Sequence, residues 1–468
     1  MGRDVNDGAA RLSYSPAAVR LLVVGAIMIA CAIVGSTRTA VAADQQSLIR
    51  LLLYANDFEL EGLIASSAGT LGELKDHVVH PELIREIVDA YGVVRPRLAI
   101  HADGYPEVEE LRTQIKSGNP LRGREVIGDA HDTEGSQWIV RQVDRGIAKN
   151  DPRPLCISVW GGQTDLAQAL CRVRADRGEK GLHEFVSRLR IYDINDQDRI
   201  GEWMRAEFPG MFYVLADAPK GRDKREGAYR GMYLGGDESL TSLEWLHKNA
   251  VREHGPLGAL YPLRTWTAPN PHSALKEGDT PAWFYFLRNG LQDAAHPEWG
   301  GWGGRFERRE ASLYRDARDA VGKVVDARST VSRWRADYQA DFQARLDWCV
   351  GASRADANHP PQAIVDGDAT RRILRREAQA AELLTLSASA SRDSDHQPLR
   401  FRWWTYDEPS GGLRPELSGA DTPTVSFRIP ATAPGRELHL IVEVRDTGEP
   451  PLVAYRRVVI QISAPRAP

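Results

Sequence analysis

Residues 154–176, PLCISVWGGQTDLAQALCRVRAD, decide the fold. The first half is a short apolar run, Leu155 to Val159, stopped by Gly161 and Gly162. The second half spaces Leu166, Leu170 and Val173 as a helix does. An apolar run without polar alternation marks a strand covered on both faces, the habit of a parallel sheet lying between helices. The same alternation extends in both directions. Upstream, SLIRLLLYA predicts a helix, FELEGLIASS a strand, HPELIREIVDAYGVV a helix, PRLAIHA a strand and SQWIVRQVDRGIA a helix. Downstream, RLRIYDIND and MFYVLAD predict strands separated by IGEWMRAEFP, and the charged stretch 311–350 reads as helices. The expected class is α/β, an open and mostly parallel sheet flanked by helices, with ligands bound in the loops at the carboxyl ends of the strands.

Past Asn358 the composition changes. NHPPQAIVDGD has the character of a linker, and LLTLSASASRDSD, LRFRWWTYD, PTVSFRIPA, ELHLIVEVRDTG and AYRRVVIQIS alternate with period two between turn residues, the spacing of an all-β sandwich. The boundary is placed near residue 356, giving an α/β domain over 44–355 and a small β-sandwich over 356–464. The tail SAPRAP is expected to be disordered.

The 468 residues are 42% hydrophobic and 26% charged with a net charge of -4, so a disordered chain and a polyanion-binding surface built on bulk charge are both disfavoured. No nucleic-acid partner is expected. Residues 1–43 read as an export leader: Arg3, Arg11 and Arg20 precede the apolar run Leu21 to Gly35, and Ala40-Val41-Ala42 offers small residues for cleavage near Ala42 or Ala43. The run is shorter than the roughly 20 residues that span a bilayer, so no stable membrane span is expected once it is removed, and the product would be periplasmic or secreted. Met28-Ile29-Ala30 before Cys31 is a poor lipid-attachment site. The remaining Cys156, Cys171 and Cys349 are odd in number and lack metal-ligand spacing, which suits buried thiols better than a disulfide framework.

Three strand-end loops carry the chemistry-bearing residues: ADQQSLIRLLLYANDFELEGLIASS, VWGGQTDLAQAL and KEGDTP. With TEGSQWI at 133–139, DPRPLCISVWGG at 151–162, NDQD at 195–198, EGDTP at 277–281, HPEWGGWGGRFE at 296–307 and RFRWWTYDEPSG in the second domain, they resemble the nucleoside hydrolases. The likeness is stronger to a branch of nucleoside-hydrolase-like, cellulose-binding bacterial proteins, and runs from about Asp44 to the C-terminus. It implies a nucleoside-hydrolase-like α/β domain followed by an immunoglobulin- or cadherin-like sandwich. It also implies a calcium ion held by Asp44, Asp279 and the backbone carbonyl of Trp160, with Asp44 and Asp279 serving a metal-assisted attack of water on an N-glycosyl or related glycosidic bond of a nucleoside or saccharide. Members of the branch carry a Pro-Asp-Asp-like turn after the first strand. Here Ala42 and Ala43 stand where Pro and Asp are expected, and Ca²⁺ affinity falls with each lost carboxylate. The rival reading is therefore a non-catalytic protein that binds cellulose or another carbohydrate.

Other candidates follow from residue type. Asp196 and Asp198 stand as contacts for substrate hydroxyls, with a solvated loop as the plain alternative. Trp299 and Trp302, set among glycines, suit stacking on a sugar or base. Trp403 and Trp404 are adjacent on a strand, so one points into the sandwich and the other, Trp404 in the polysaccharide-binding reading, points outward. His272 and His296 are candidate donors to a leaving group, against the plainer reading of packed or exposed histidines. Asp393 and Asp395 read as an Asx turn, with calcium uptake as the alternative.

Overall fold

The computed structural model describes residues 18–25, 42–67, 79–263 and 274–464. His272 and the last four residues of the tail lie outside them. The first domain is built on β1 (Val19–Gly25), β2 (Phe58–Ala65), β3 (Ile115–Ser117), β4 (Leu155–Val159), β5 (Leu189–Ile194), β6 (Phe212–Ala216), β7 (Phe306–Arg308) and β8 (Leu313–Asp316). They form one sheet in the order β3-β2-β1-β4-β5-β6-β8-β7. Every pair is parallel except β7 with β8. The helices α1 (Ala42–Leu53), α2 (Pro81–His101), α3 (Val108–Gln114), α4 (Glu134–Ala148), α5 (Thr164–Ser187) and α6 (Gly201–Glu207) cover its faces. The strand-to-helix turn that opened the sequence reading is β4 followed by α5.

β1 runs between β2 and β4, with Leu22 paired to Gly62 on one side and Ile157 on the other. Successive side chains point to opposite faces. Leu21 and Val23 therefore enter one core with α1 and α2, while Leu22 and Val24 enter the other with α4 and α5. This differs from the reading of residues 1–43 as a removable leader, because cleavage near Ala42 would take out a central strand of the sheet. The physical cause of the ambiguity is that a parallel strand buried on both faces and the apolar core of a leader have the same composition.

Two further expectations are corrected. PRLAIHA is not a strand: α2 continues through Pro96 to His101, and Tyr91, Val94, Leu98 and His101 are buried along one helical stripe. The strand beside β2 is instead the three-residue β3. In the stretch 311–350, helices begin only at Ser329. Before them come β8 and a hairpin of β9 (Asp319–Val321) and β10 (Val324–Asp326), which turns at Gly322 with φ +60°.

The second domain packs β11 (Leu374–Gln379), β12 (Leu383–Ser387), β13 (Arg400–Thr405), β14 (Thr424–Arg428), β15 (Glu437–Arg445) and β16 (Val453–Ser463) into a four-stranded sheet, order β11-β16-β15-β13, facing the pair β12-β14. Leu386, Val425 and Phe427 from the pair meet Trp403, Leu440, Val442 and Ile460 from the sheet in one core. The polar strand β11, LRREAQ, has no β-like pattern and was not expected. Tyr406, Ile441 and Tyr455 leave the sandwich core and join the first domain's core.

Removing residues 1–43 should abolish the cooperative unfolding transition seen by circular dichroism in urea, whereas removing residues 1–17 should preserve it. A shortened chain from Asp44 that unfolds cooperatively would show that β1 is dispensable.

Candidate functional site

The helix α1 starts at the carboxyl end of the sheet and is tied to the KEGDTP loop by two side chains one turn apart. Gln46 donates to the carbonyl of Pro262 (2.6 Å) and accepts from the amide of Lys276 (2.7 Å). Arg50 forms a two-pronged pair with Glu277, Nε to Oε2 at 2.5 Å and Nη2 to Oε1 at 3.0 Å, both side chains fully buried. The remaining capacity of the pair is filled. Arg50 also donates to Gln339 (2.7 Å) and lies 3.7 Å over the ring of Phe342, while Glu277 accepts from the hydroxyls of Tyr261 and Thr280. A buried ion pair repays its desolvation only when its hydrogen bonds are satisfied in this way.

The consequence is a second pairing. Asp44, in the first turn of α1, and Asp279, immediately before the helical turn Thr280–Phe284, are neighbours whose carboxyls act on each other. Two neighbouring carboxylates in a poorly solvated place resist ionising together, which favours one proton held by the pair. Burial, and then the neighbouring Asp279, push Asp44 well above the usual carboxylate range. Burial lifts Asp279 from 3.8 to about 6, opposed by its bond to Asp44 and by the nearby Arg230 guanidinium. Tyr229 and Tyr233 pack beside Gly278, and Lys276 lies 4.9 Å over the Tyr233 ring. Trp160, at the end of β4, is buried against Gly25 at the end of β1, and its carbonyl accepts a hydrogen bond from Gln197 Nε2 at 2.5 Å.

This donor set does not fit calcium, which takes about six to eight oxygens and is held tightly only by several carboxylates. Asp44 and Asp279 are two carboxyls that favour a shared proton over two charges, and the Trp160 carbonyl is engaged by Gln197. Among the described residues no group of three or more His, Cys, Asp or Glu side chains is placed to hold a metal ion. The sequence from Ala26 to Val41, between β1 and α1, contains no Asp or Glu to add.

The family described as "Cellulose-binding Sde182, nucleoside hydrolase-like domain" matches residues 33–306, and "Cellulose-binding protein Sde0182, C-terminal domain" matches residues 383–462. The chain belongs to this Sde182 family. A solved structure of a nucleoside hydrolase-related hypothetical protein from Saccharophagus degradans, described as associated with carbohydrate metabolism, is 30% identical. It covers 96% of this chain and 100% of its own, with a TM-score of 0.76. A PKD domain from KIAA 1837 protein (19% identity, 24% of this chain and 95% of its own) has a TM-score of only 0.18. Comparison with curated proteins returns no match.

In this member of the Sde182 family, Asp44 and Asp279 are neighbours, and the other candidates lie elsewhere. Asp198 is 1% exposed and accepts from the amide and hydroxyl of Thr164 at 3.0 and 2.5 Å, which fixes the start of α5. Asp196 accepts from Gln163 Nε2 (2.8 Å) and the Gly201 amide (2.9 Å), bracing the loop ahead of α6. Both are loop braces in place of the expected hydroxyl contacts. Trp299 is buried, stacked on His296 at 3.9 Å with Arg375 of β11 over it at 4.8 Å. Trp302 is buried against Phe284, Tyr338 and Tyr455. Trp403 fills the sandwich core, while Trp404 turns toward the first domain, against Trp334, and donates to Glu443 at 2.9 Å. The three tryptophans expected on a ligand surface therefore serve the joint between the domains. WGGWGG is glycine-rich for the same reason: the carbonyls of Trp299 and Gly300 both accept from Arg457 of β16, and Gly300 holds φ +73° to present them. Asp393 accepts from the amides of Asp395 and Gln397 as an Asx turn does, and Asp395 pairs with His359.

Gln46, Arg50, Glu277 and Arg230 were not singled out in advance. The available signal was the spacing of Gln46 and Arg50, polar side chains one helical turn apart, with Arg50 set in the apolar run from Leu48 to Leu53.

Arg50→Met should lower unfolding free energy by about 3–5 kcal/mol, since it strands Glu277 in the core, and adding Glu277→Leu should restore much of the loss in urea titrations. Because Asp279 binds its proton more tightly folded than unfolded, its contribution to native stability should be greatest below pH 3.8 and be lost as pH rises toward about 6. Asp279→Asn, neutral at every pH, should lose that decline and gain stability over the parent protein above pH 6 in thermal melts.

Proposed function

We propose that this protein binds a cellulose-type polysaccharide at the carboxyl end of its first sheet and does not hydrolyse a glycosidic bond there. The observation that carries this reading is the juxtaposition of Asp44 and Asp279, whose carboxyls act on each other. Glycosidases that work with two carboxyl groups hold them roughly 5–5.5 Å apart for a covalent intermediate, or roughly 6.5–9.5 Å apart to admit a water. A pair of neighbouring carboxyls that favours sharing a proton suits neither division of labour. A carboxyl pair sharing a proton is instead both donor and acceptor, which suits the hydroxyls of a neutral sugar. The cellulose-binding description of the family supports the ligand class. Cellulose is an extracellular polymer, so this reading also requires that export leave Val19–Gly25 attached.

The test is retention of the full-length protein on microcrystalline cellulose and calorimetry with soluble cello-oligosaccharides, beside assays of base release from nucleosides with and without added calcium. Saccharide binding weakened about tenfold by Asp44→Ala or Asp279→Ala, the cost of a charge-assisted hydrogen bond, is the expected result. Calcium-stimulated nucleoside cleavage that disappears in Asp279→Ala would overturn it.

A further inference from the structure

A cavity of about 980 Å³ opens at the opposite, amino-terminal edge of the first sheet, between the two domains. Val19, Cys156 and Arg190 from the starts of β1, β4 and β5 line one side, and Pro361, Thr370 and Arg372 of the second domain line the other. Its volume is at the upper end of the range of small-molecule sites, about 300–1,000 Å³. Among the described residues, eight arginines and three aspartates line it, with no lysine or glutamate.

Seven of the eight arginines fall into two groups. Arg20, Arg153 and Arg345 are committed to Glu61, Asp151 and Asp57 at 2.6, 2.5 and 2.9 Å. Arg371 reaches Asp57 as well, at 3.3 Å, so one carboxylate already serves two guanidinium groups. Arg190, Arg372 and Arg375 have no carboxylate within ion-pair distance among the described residues. Arg190 donates to the carbonyl of Leu189 and lies 4.8 Å from the Phe212 ring, and Arg375 donates to the ring of His296. Arg372 and Arg375 are exposed and Arg190 half-buried, so their donors are within reach of a ligand. Cationic groups gathered in one cleft repel each other, and an anion placed among them relieves that repulsion. Guanidinium forks hold carboxylate and phosphate oxygens two at a time, and Tyr54, Tyr285 and Phe286 add apolar walls for a carbon skeleton.

We propose that this interdomain cleft is a binding site for a small organic polyanion, a molecule with two or more carboxylate or phosphate groups that bridges Arg190 of the sheet to Arg372 and Arg375 of the second domain. The site is independent of the Asp44–Asp279 pair and stands or falls separately from the cellulose reading. Because both domains supply ligand contacts, the occupied protein resists thermal unfolding more than the free one.

Calorimetry on the full-length protein with two probes, trigalacturonate for carboxylates and fructose bisphosphate for phosphates, tests the proposal. Saturable binding of one probe, weakening with added salt and falling at least about tenfold in Arg190→Gln and in Arg372→Gln, is the expected result, and the probe that binds identifies the anionic group. Both variants should keep the parent's cellulose retention and circular dichroism. No saturable binding of either probe at millimolar concentration would overturn the proposal, as would binding unchanged in both variants.

Discussion

The buried pair of Arg50 and Glu277 is the constraint on which the first domain's upper edge depends. It joins residues 227 positions apart, both without solvent exposure, and draws α1 against the loop that carries Asp279. Gln46, one turn earlier, fixes the same loop through its backbone. With α1 and the loop held at two points, Asp44 and Asp279 have no freedom to part, and a proton shared between them is cheaper than two buried charges. The site is thus a product of an ion pair that never reaches a ligand.

The second domain depends on a comparable arrangement. Asp319 accepts from Arg305 and Arg333 and from the Tyr406 hydroxyl, Asp337 accepts from Arg445 and Tyr455, and Arg457 is capped by the carbonyls of Trp299 and Gly300. The bonds of Tyr406, Arg445, Tyr455 and Arg457 run across the joint, among the tryptophans that the sequence offers as sugar platforms. The large aromatic count is spent on holding the sandwich against the α/β domain, with the interdomain cleft left at its margin.

Much of the α/β layout was legible, since long amphipathic helices and uninterrupted apolar strands carry their own periodicity. β4, β5, β6 and the first half of α5 could be read from the sequence, and so could the presence of the strands β12 to β16, though α5 runs on to Ser187 and β12 stops at Ser387. The errors have specific causes. LLVVG reads equally as leader core and as buried strand; PRLAIHA carries a proline in a helix whose buried stripe continues past it; β11 is too polar to show alternation. Within the site, Asp44 and Asp279 were found through the resemblance of their loops. Gln46, Arg50 and Glu277 look like ordinary polar residues until the fold brings distant segments into contact.

By itself the sequence determined the class of each domain, their order, and the two aspartates worth watching, because local periodicity and turn residues are properties of neighbours along the chain. Tertiary structure alone decided what those residues do. Tertiary packing, not residue type, sets two aspartates side by side, buries Trp299 and Trp302, turns Trp404 against Trp334, and gathers arginines from both domains around one cleft. Each of those outcomes depends on which distant groups share a low-dielectric space, and no spacing along the chain encodes that.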